Sequence, residues 1–417
     1  MRRNGLCSGA CAAALGAFLV FFSVVATSSA VRAASGQEVL KIGFVSALSG
    51  PGAVWGIPFK NCTLLDAEEI NAAGGVSIGG KKYMIEIIAV DDFYTSEGGK
   101  AAAEKLVYQD KVKFIVGSQG STQTLGMETV TVPANVLIYP AAQSPKILGP
   151  DKPLTFRCGP DATITPIASW AYVQDKYPNL KTIALMSTND EYGKAVAKAQ
   201  KQFAELLGLQ VVAEEYFSRA GAKDFYPILG RVKGKNPDAI ELGGSASPDS
   251  ALIVKQAREL GYNGLLFCTS SPVEPGSFVE IAGKQNAEGF LNNILNDETP
   301  GLPPEVQAFK KRYLAKHQPF YPVAYLYGWP VKVLTQAMEK ADSLDPVKVA
   351  AVLENMQIRK PLGVGFYAGE QKEWYGIKRQ FIGPQYVSEF QSGVPVTVKI
   401  LGADKVFEMN KKYWRVQ

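Results

Sequence analysis

Histidine is nearly missing from this sequence: His317 is the only one in 417 residues. A histidine-based zinc centre needs several, and a Ser-His or Cys-His nucleophile needs one that is well placed. His317 ends a polar, helix-like stretch, Lys316-His317-Gln318-Pro319, and reads as solvated. The common hydrolase chemistries fall away with it. Cysteine is sparse as well. Of the five, Cys7 and Cys11 lie near the start, while Cys62, Cys158 and Cys268 are far apart and odd in number. There is no CxxC pair and no metal-ligand spacing, so the three read as buried apolar fillers, with one bridge among them left open. No loop carries a Walker phosphate motif or a GxGxxG fingerprint, which disfavours nucleotide binding.

Long apolar runs are scarce too, and the one present lies at the start. Arg2 and Arg3 precede an uncharged stretch from Asn4 to Val31 with an apolar heart from Ala10 to Ala26. Small residues follow at Ser28, Ala30 and Ala33. A basic start, an apolar run and a small-residue exit read as a secretory signal peptide over residues 1–33, cleaved after Ala30 or Ala33. An uncleaved membrane anchor is the alternative, because the stretch nearly reaches bilayer length. Cys7 and Cys11 precede the apolar run, too early for a lipid-modified cleavage site. The expectation is export from the cytoplasm. An excess of one charge sign is the last absence. Residues 1–33 contain three basic residues and no acid, so the remainder holds 41 of the 44 basic residues against 39 acids, a net charge of +2. That balance predicts no nucleic-acid partner and no membrane-surface binding.

What is present is a regular alternation. Val39 to Val45 reads as a buried strand, followed by the Gly/Pro/Ser loop Ser46 to Gly56 and a helix with Pro58 in its first turn. The strand Tyr83 to Val90 ends at Asp91-Asp92, which reads as cap and solvated turn. A helix from Ser96 to Gln109 and short strands at Phe114 to Val116 and Leu137 to Tyr139 complete a βαβα series. The pattern restarts with strands at Thr182 to Ser187, Gln210 to Tyr216, Ala239 to Gly243 and Leu265 to Cys268, separated by helices. Residues 303–355 read as mainly helical, with a kink or restart at Pro330. The last fifty read as strands and turns. The expected fold class is α/β, with two parallel-sheet units.

Ligands bind such sheets beyond the carboxyl ends of the strands. Four loops there carry useful chemistry. One holds Trp55 on a glycine-rich turn. The second, Gly117 to Gln123, follows a strand and opens a helix, where Ser121 and free N–H groups could hold an anion. The third, Pro140 to Pro145, exposes main-chain groups. The fourth places Tyr192 at a helix start beside Gly193. Each has a plainer reading: Ser121 as helix cap, Trp55 as core, Tyr192 as part of a turn.

These residues, taken in order, resemble the leucine/isoleucine/valine-binding family of periplasmic solute receptors for ABC importers. The likeness runs through Lys41-Ile42-Gly43-Phe44-Val45-Ser46-Ala47-Leu48-Ser49-Gly50-Pro51, Trp55-Gly56 and Asp66 to Val76. It continues at Asp91-Asp92, Gly117 to Gln123, Pro140-Ala141-Ala142, Asp190-Glu191-Tyr192-Gly193, Lys223-Asp224-Phe225, Gln256-Ala257-Arg258, Gly283 and Glu288-Gly289. The resemblance implies the type I periplasmic binding protein fold: two Rossmann-like lobes joined by three crossover strands that close on the ligand by hinge motion. Lobe 1 would comprise residues 38–160 and 296–365, and lobe 2 residues 161–289 and 366–417. The crossovers would fall near Cys158 to Ala162, Phe290 to Leu295 and Phe366 to Glu370.

The resemblance also implies a function and a site. The protein would be the binding component of an importer, a monomer delivering a small carboxylate-bearing solute to a membrane permease, without cofactor, metal or catalysis. A sensing receptor of the same fold for amides or related solutes is the alternative. Ser121, with main-chain groups at Ala141, Ala142 and Gln143, would hold the ligand carboxylate, and Trp55 and Tyr192 would cover it. Three departures bear on the ligand. Gln143 stands where amino-acid-binding members usually have Thr or Ser. Ser271 stands where they have the glutamate that pairs the ligand ammonium, and Glu274, three residues on, would have to replace it. Tyr94 and Gly120 occupy the places of a cysteine pair found in some members. An unpaired ammonium is costly to bury. The expected ligand is a small carboxylate with an apolar body, an amino acid or an aromatic or aliphatic acid, and the two rings would suit an aromatic one.

Overall fold

The computed structural model describes residues 37–218, 224–367 and 378–414. The expected signal peptide lies outside the described residues, as does part of the expected third crossover.

The first half is built on a five-stranded sheet with the order β2-β3-β1-β4-β5. Its strands are β1 (Glu38–Ser46), β2 (Val76–Ile78), β3 (Lys81–Asp91), β4 (Phe114–Gly117) and β5 (Leu137–Tyr139). Strand β1 is central and parallel to β3 on one side and to β4 on the other. Its continuous run Ile42 to Val45 is buried on both faces, as a covered parallel strand requires. Only β2 is antiparallel, as a short hairpin with β3. Helix α1 (Ala53–Ala72) covers one face, where Phe59 meets Phe44 edge-on at 5.2 Å. Helices α2 (Ser96–Glu104) and α3 (Ser121–Thr131) cover the other through Ala102, Ala103 and Met127.

Helix α1 starts five residues earlier than its sequence predicts, so Pro58 lies inside it. Ala53, Val54 and Trp55 continue the helix backwards because burying Trp55 anchors that first turn. The carbonyl four residues before Pro58 simply has no N–H to receive. Helix α2 runs on through a wider π-type turn, Lys105–Gln109, to the expected end.

The second half has a seven-stranded sheet in which β6 (Thr182–Thr188), β7 (Gln210–Phe217), β8 (Ala239–Gly243) and β9 (Leu265–Cys268) are parallel. β10 (Leu291–Asn292) extends it in parallel, and β14 (Gln385–Gln391) and β15 (Val394–Leu401) add an antiparallel edge. Helix α4 (Ile167–Lys176) precedes β6, and α5 (Glu191–Leu206), α6 (Tyr226–Lys233), α7 (Ser247–Glu259) and α8 (Pro275–Ala282) follow in turn. The chain then returns to the first half with α9 (Pro304–Leu314), α10 (Ala324–Tyr327), α11 (Pro330–Ala341) and α12 (Pro346–Leu353), whose apolar faces join the core under α1. Pro330 opens α11, a restart with its missing N–H among the unpaired donors of a first turn.

A three-stranded antiparallel sheet, β11 (Gln357–Lys360), β12 (Gly363–Tyr367) and β13 (Phe381–Ile382), leads back to β14. The last described residues form a helix, α13 (Ala403–Trp414), where the sequence reads as strands and turns. Val406 and Phe407 dock that helix into the second half's core, and its run of Ala, Lys, Glu and Met holds only one β-branched residue, so the segment itself favours a helix. Cys62, Cys158 and Cys268 are all free and buried, which settles the open bridge. His317 is half-buried against Tyr313 at 5.4 Å, with its Nε2 shielded from solvent. The tilted ring of Tyr313 covers what the sequence left solvated.

The chain thus passes between the halves three times. At the first passage Cys158 packs in the first core and Ala162 against Val196 and Ala199 of the second. Arg157 and Asp161 flank it as a fully buried ion pair at 3.5 Å.

Candidate functional site

In each sheet the strand order reverses beside one strand, β1 in the first half and β6 in the second. The crevices outside these reversals are where open α/β sheets bind ligands. The two crevices face each other and enclose a cavity of about 40 Å³. A water needs roughly 10–15 Å³ of such space, so the walls stand nearly in contact.

The first half supplies one wall. Trp55, from the first turn of α1, lies 6.4 Å from the ring of Tyr94, which follows β3. Gln119 and Gly120 come from the β4–α3 loop, and Ala141 and Gln143 from the segment after β5. The second half supplies Tyr192, at the start of α5, and Ser270, Ser271 and Pro272, just after β9. Leu326 and Tyr327 of α10 close the third side. Tyr327 is stacked on Phe59 at 4.4 Å, so the core fixes its ring.

Local sequence explains the placement of Tyr192. Asp190 caps α5 by accepting from the Gly193 N–H at 2.8 Å. A Cβ at Gly193 would stand 1.9 Å from the Thr188 carbonyl oxygen, so only glycine lets α5 sit this close to β6. The Tyr192 hydroxyl donates to the Ser270 carbonyl and lies 3.3 Å from Ser271 Oγ. Gln143 spans the cavity: its Nε2 donates to the Ser270 carbonyl at 3.4 Å and its Oε1 accepts from Thr165 Oγ1 at 3.1 Å.

The walls are four aromatic rings, two glutamines, two serines and small or apolar residues, with no charged side chain. Asp92 stands just behind. It is pushed up to about 6 by burial, which outweighs the hydroxyl that Ser118 donates to it at 2.6 Å. The Tyr327 phenol is driven well above its ordinary value by burial, so it is neutral at any physiological pH. Among the described residues no group of three His, Cys, Asp or Glu could hold a metal ion.

Of the residues expected from sequence, Trp55, Ala141, Gln143, Tyr192 and Ser271 line the cavity together. Ala142 is buried directly behind them, and Ser121 adjoins Gly120. Ser121 does not cap α3; its Oγ accepts from the Ser144 N–H at 3.1 Å instead. Glu274 is elsewhere. Its carboxylate accepts from the N–H groups of Gly276 at 3.0 Å and Ser277 at 2.6 Å, capping α8. The positive helix end holds that charge, so it does not replace the missing glutamate. Asp91 forms the expected turn, accepting from Leu48 N, Ser49 Oγ and Phe93 N, but Thr95 and neither aspartate caps the next helix, and Asp92 is fully buried rather than solvated.

Tyr94, Gln119, Ser270, Leu326 and Tyr327 were not singled out from sequence as ligand contacts. Gln119 and Tyr94 lie at carboxyl ends of predicted strands, a signal that was available. Leu326 and Tyr327 had none, because only the packing of α10 on α1 brings them here.

Two α/β halves crossed by three chain passages, with facing crevices and no charged or metal-binding group in the walls, define a two-lobed solute-binding protein. The chain belongs to the periplasmic binding protein family: the family model described as Periplasmic binding protein matches residues 39–389. The family binds solutes and is not one of enzymes. The chain is 29% identical over 351 residues to the leucine-, isoleucine-, valine-, threonine- and alanine-binding protein of Pseudomonas aeruginosa, covering 83% of this chain and 90% of that one. It is 28% identical to the Leu/Ile/Val-binding protein of Escherichia coli K12, covering 78% and 86%. Among solved structures it shares the fold of the leucine-binding protein LivK from Thermotoga maritima, with a TM-score of 0.74, 20% identity and 88% and 99% coverage. It likewise shares that of an R. palustris solute-binding protein in complex with 4-hydroxybenzoate, with a TM-score of 0.75, 20% identity and 90% and 100% coverage.

Proposed function

We propose that the protein is the extracytoplasmic binding component of an ABC importer and captures a small carboxylate that carries no ammonium group, an aromatic acid first. The observation that carries this reading is the missing counter-charge. Ser271 stands where a carboxylate would meet an ammonium, Glu274 is committed to α8, and no other acid lines the cavity. An α-amino acid would bury its cation unpaired, a loss of several kcal/mol. An aromatic acid asks only for neutral donors and flat walls. The Ala142 and Gln143 N–H groups have no acceptor among the described residues, and the Ser121 hydroxyl proton is free to join them. Trp55, Tyr94, Tyr192 and Tyr327 supply ring faces. The relatives point both ways: those from P. aeruginosa and E. coli are named for leucine, isoleucine and valine, the first also for threonine and alanine, while several solved structures of the fold hold benzoate or hydroxybenzoates.

In this reading lobe 1 comprises residues 38–160 and 296–365 and lobe 2 residues 161–289 and 366–417. The monomer reaches the periplasm by the signal at 1–33, closes over its ligand and hands it to a membrane permease. The test is a thermal-shift screen followed by calorimetry, with benzoate, hydroxybenzoates, leucine, valine, simple amides and fatty acids. A ligand at a hundred times its dissociation constant adds about 2.7 kcal/mol of stability. Benzoates are expected to stabilise the protein, and leucine and valine to leave it unchanged. Micromolar binding of leucine overturns the reading, and stabilisation by amides alone favours the sensing alternative.

A further inference from the structure

Gln119 sits in the cavity wall with its side-chain amide held one way round. Its Oε1 accepts from the Ser46 hydroxyl and lies 3.4 Å from the Ser118 hydroxyl. Ser118 is fixed in turn: it accepts from the Gly120 N–H at 3.2 Å and donates to buried Asp92 at 2.6 Å. Ser46 is itself fully buried at the end of β1, so the chain of hydroxyls that orients the amide is rigid. With Oε1 occupied, Nε2 is the group left over. It is shielded from solvent and has no acceptor among the described residues. A buried amide donor without a partner costs about 1–3 kcal/mol unless something bound beside it accepts. The wall that carries it is otherwise flat rings and small residues.

We infer that Gln119 is a specificity-determining residue: its Nε2 donates to an oxygen substituent on the ring of the bound acid, so that hydroxylated benzoates are selected over benzoate. The inference rests on the reading of the cavity as an aromatic-acid site. The N–H groups of Ala142 and Gln143 receive the carboxylate, and Gln119 serves a different atom of the same ligand. Ser46 is a positioning residue, since it touches the amide oxygen and fixes which face of the amide meets the ligand. A benzoate without a ring oxygen leaves Nε2 unpaired, and the penalty falls on that complex alone.

The experiment is calorimetry on the full chain with benzoate, the three monohydroxybenzoates and 3,4-dihydroxybenzoate, for wild type, Gln119→Leu and Ser46→Ala. Leucine nearly preserves the volume of glutamine and removes the donor. Wild type is expected to bind at least one hydroxylated acid about tenfold tighter than benzoate. In Gln119→Leu that preference should vanish, the hydroxylated acids losing more affinity than benzoate. In Ser46→Ala it should shrink with benzoate unaffected. An equal loss for every acid in Gln119→Leu, or an undiminished preference, overturns the assignment while leaving the aromatic-acid reading intact. Failure of wild type to bind any of the five acids overturns both. Ser46→Ala keeps the question decidable if melting curves show that Gln119→Leu does not fold.

Discussion

Glu241 occupies the middle of β8, fully buried in the second sheet with no cation beside it among the described residues. Its Oε1 accepts from Thr269, whose hydroxyl also receives the Gln200 amide; Gln200 in turn accepts from Trp170 Nε1 at 2.6 Å. Oε2 has no partner among the described residues. Burial pushes the carboxyl up to about 8, so at neutral pH it carries a proton. An unfolded glutamate ionises near 4.5. Between those values the folded state holds one proton more than the unfolded chain, so stability is full below pH 4.5 and falls as pH rises towards 8. Glu241→Gln, neutral throughout, is expected to match wild type near pH 5 and to gain on it by about 1 kcal/mol per pH unit up to pH 8. Urea denaturation of both proteins at a series of pH values checks this, and parallel curves would refute it. At the same scale, Trp55, Gln143 and Tyr192 were legible because each lies in a recognisable run between a strand and a helix, and Ser271 only through its place in the resemblance. Tyr327 was not, since nothing in its own neighbourhood distinguishes it from a core tyrosine.

At the scale of elements, continuous apolar runs marked the inner parallel strands such as β4, β5 and β9, because a strand covered on both faces has to be continuously apolar. Helix termini were harder. The early start of α1 depends on Trp55 finding a pocket, and α13 exists because Val406 and Phe407 find a core to dock in. Glu274 shows how an element can claim a residue that spacing offers to a site. Glu274→Ala is expected to lower stability by about 1 kcal/mol, as loss of a helix cap does, and to leave ligand affinity unchanged. Denaturation and calorimetry on the same variant separate the two effects, and a large affinity loss would return Glu274 to the site.

For the whole molecule, closure is the decisive property. Across the mouth, Ser144 of the first half donates to Glu191 of the second at 2.8 Å, and Lys146 pairs with the same carboxylate at 2.8 Å. Lys146 is mostly exposed, so the pair adds at most about 1 kcal/mol. Lys146→Ala should therefore raise the dissociation constant no more than about fivefold, through faster release. Small-angle scattering should show the radius of gyration contracting when a stabilising acid is added to wild type. An unchanged radius would mean that the halves do not move.

Sequence by itself determined the α/β class, the absence of histidine and thiol chemistry, and the loops that would carry a ligand, because apolar periodicity, residue counts and strand-end composition are local properties of the chain. Tertiary structure alone decided that Leu326 and Tyr327 form the third wall, and that the amide nitrogen of Gln119 is buried without an acceptor among the described residues. Those outcomes depend on contacts between segments up to hundreds of residues apart, and such contacts are fixed only when the cores around them pack.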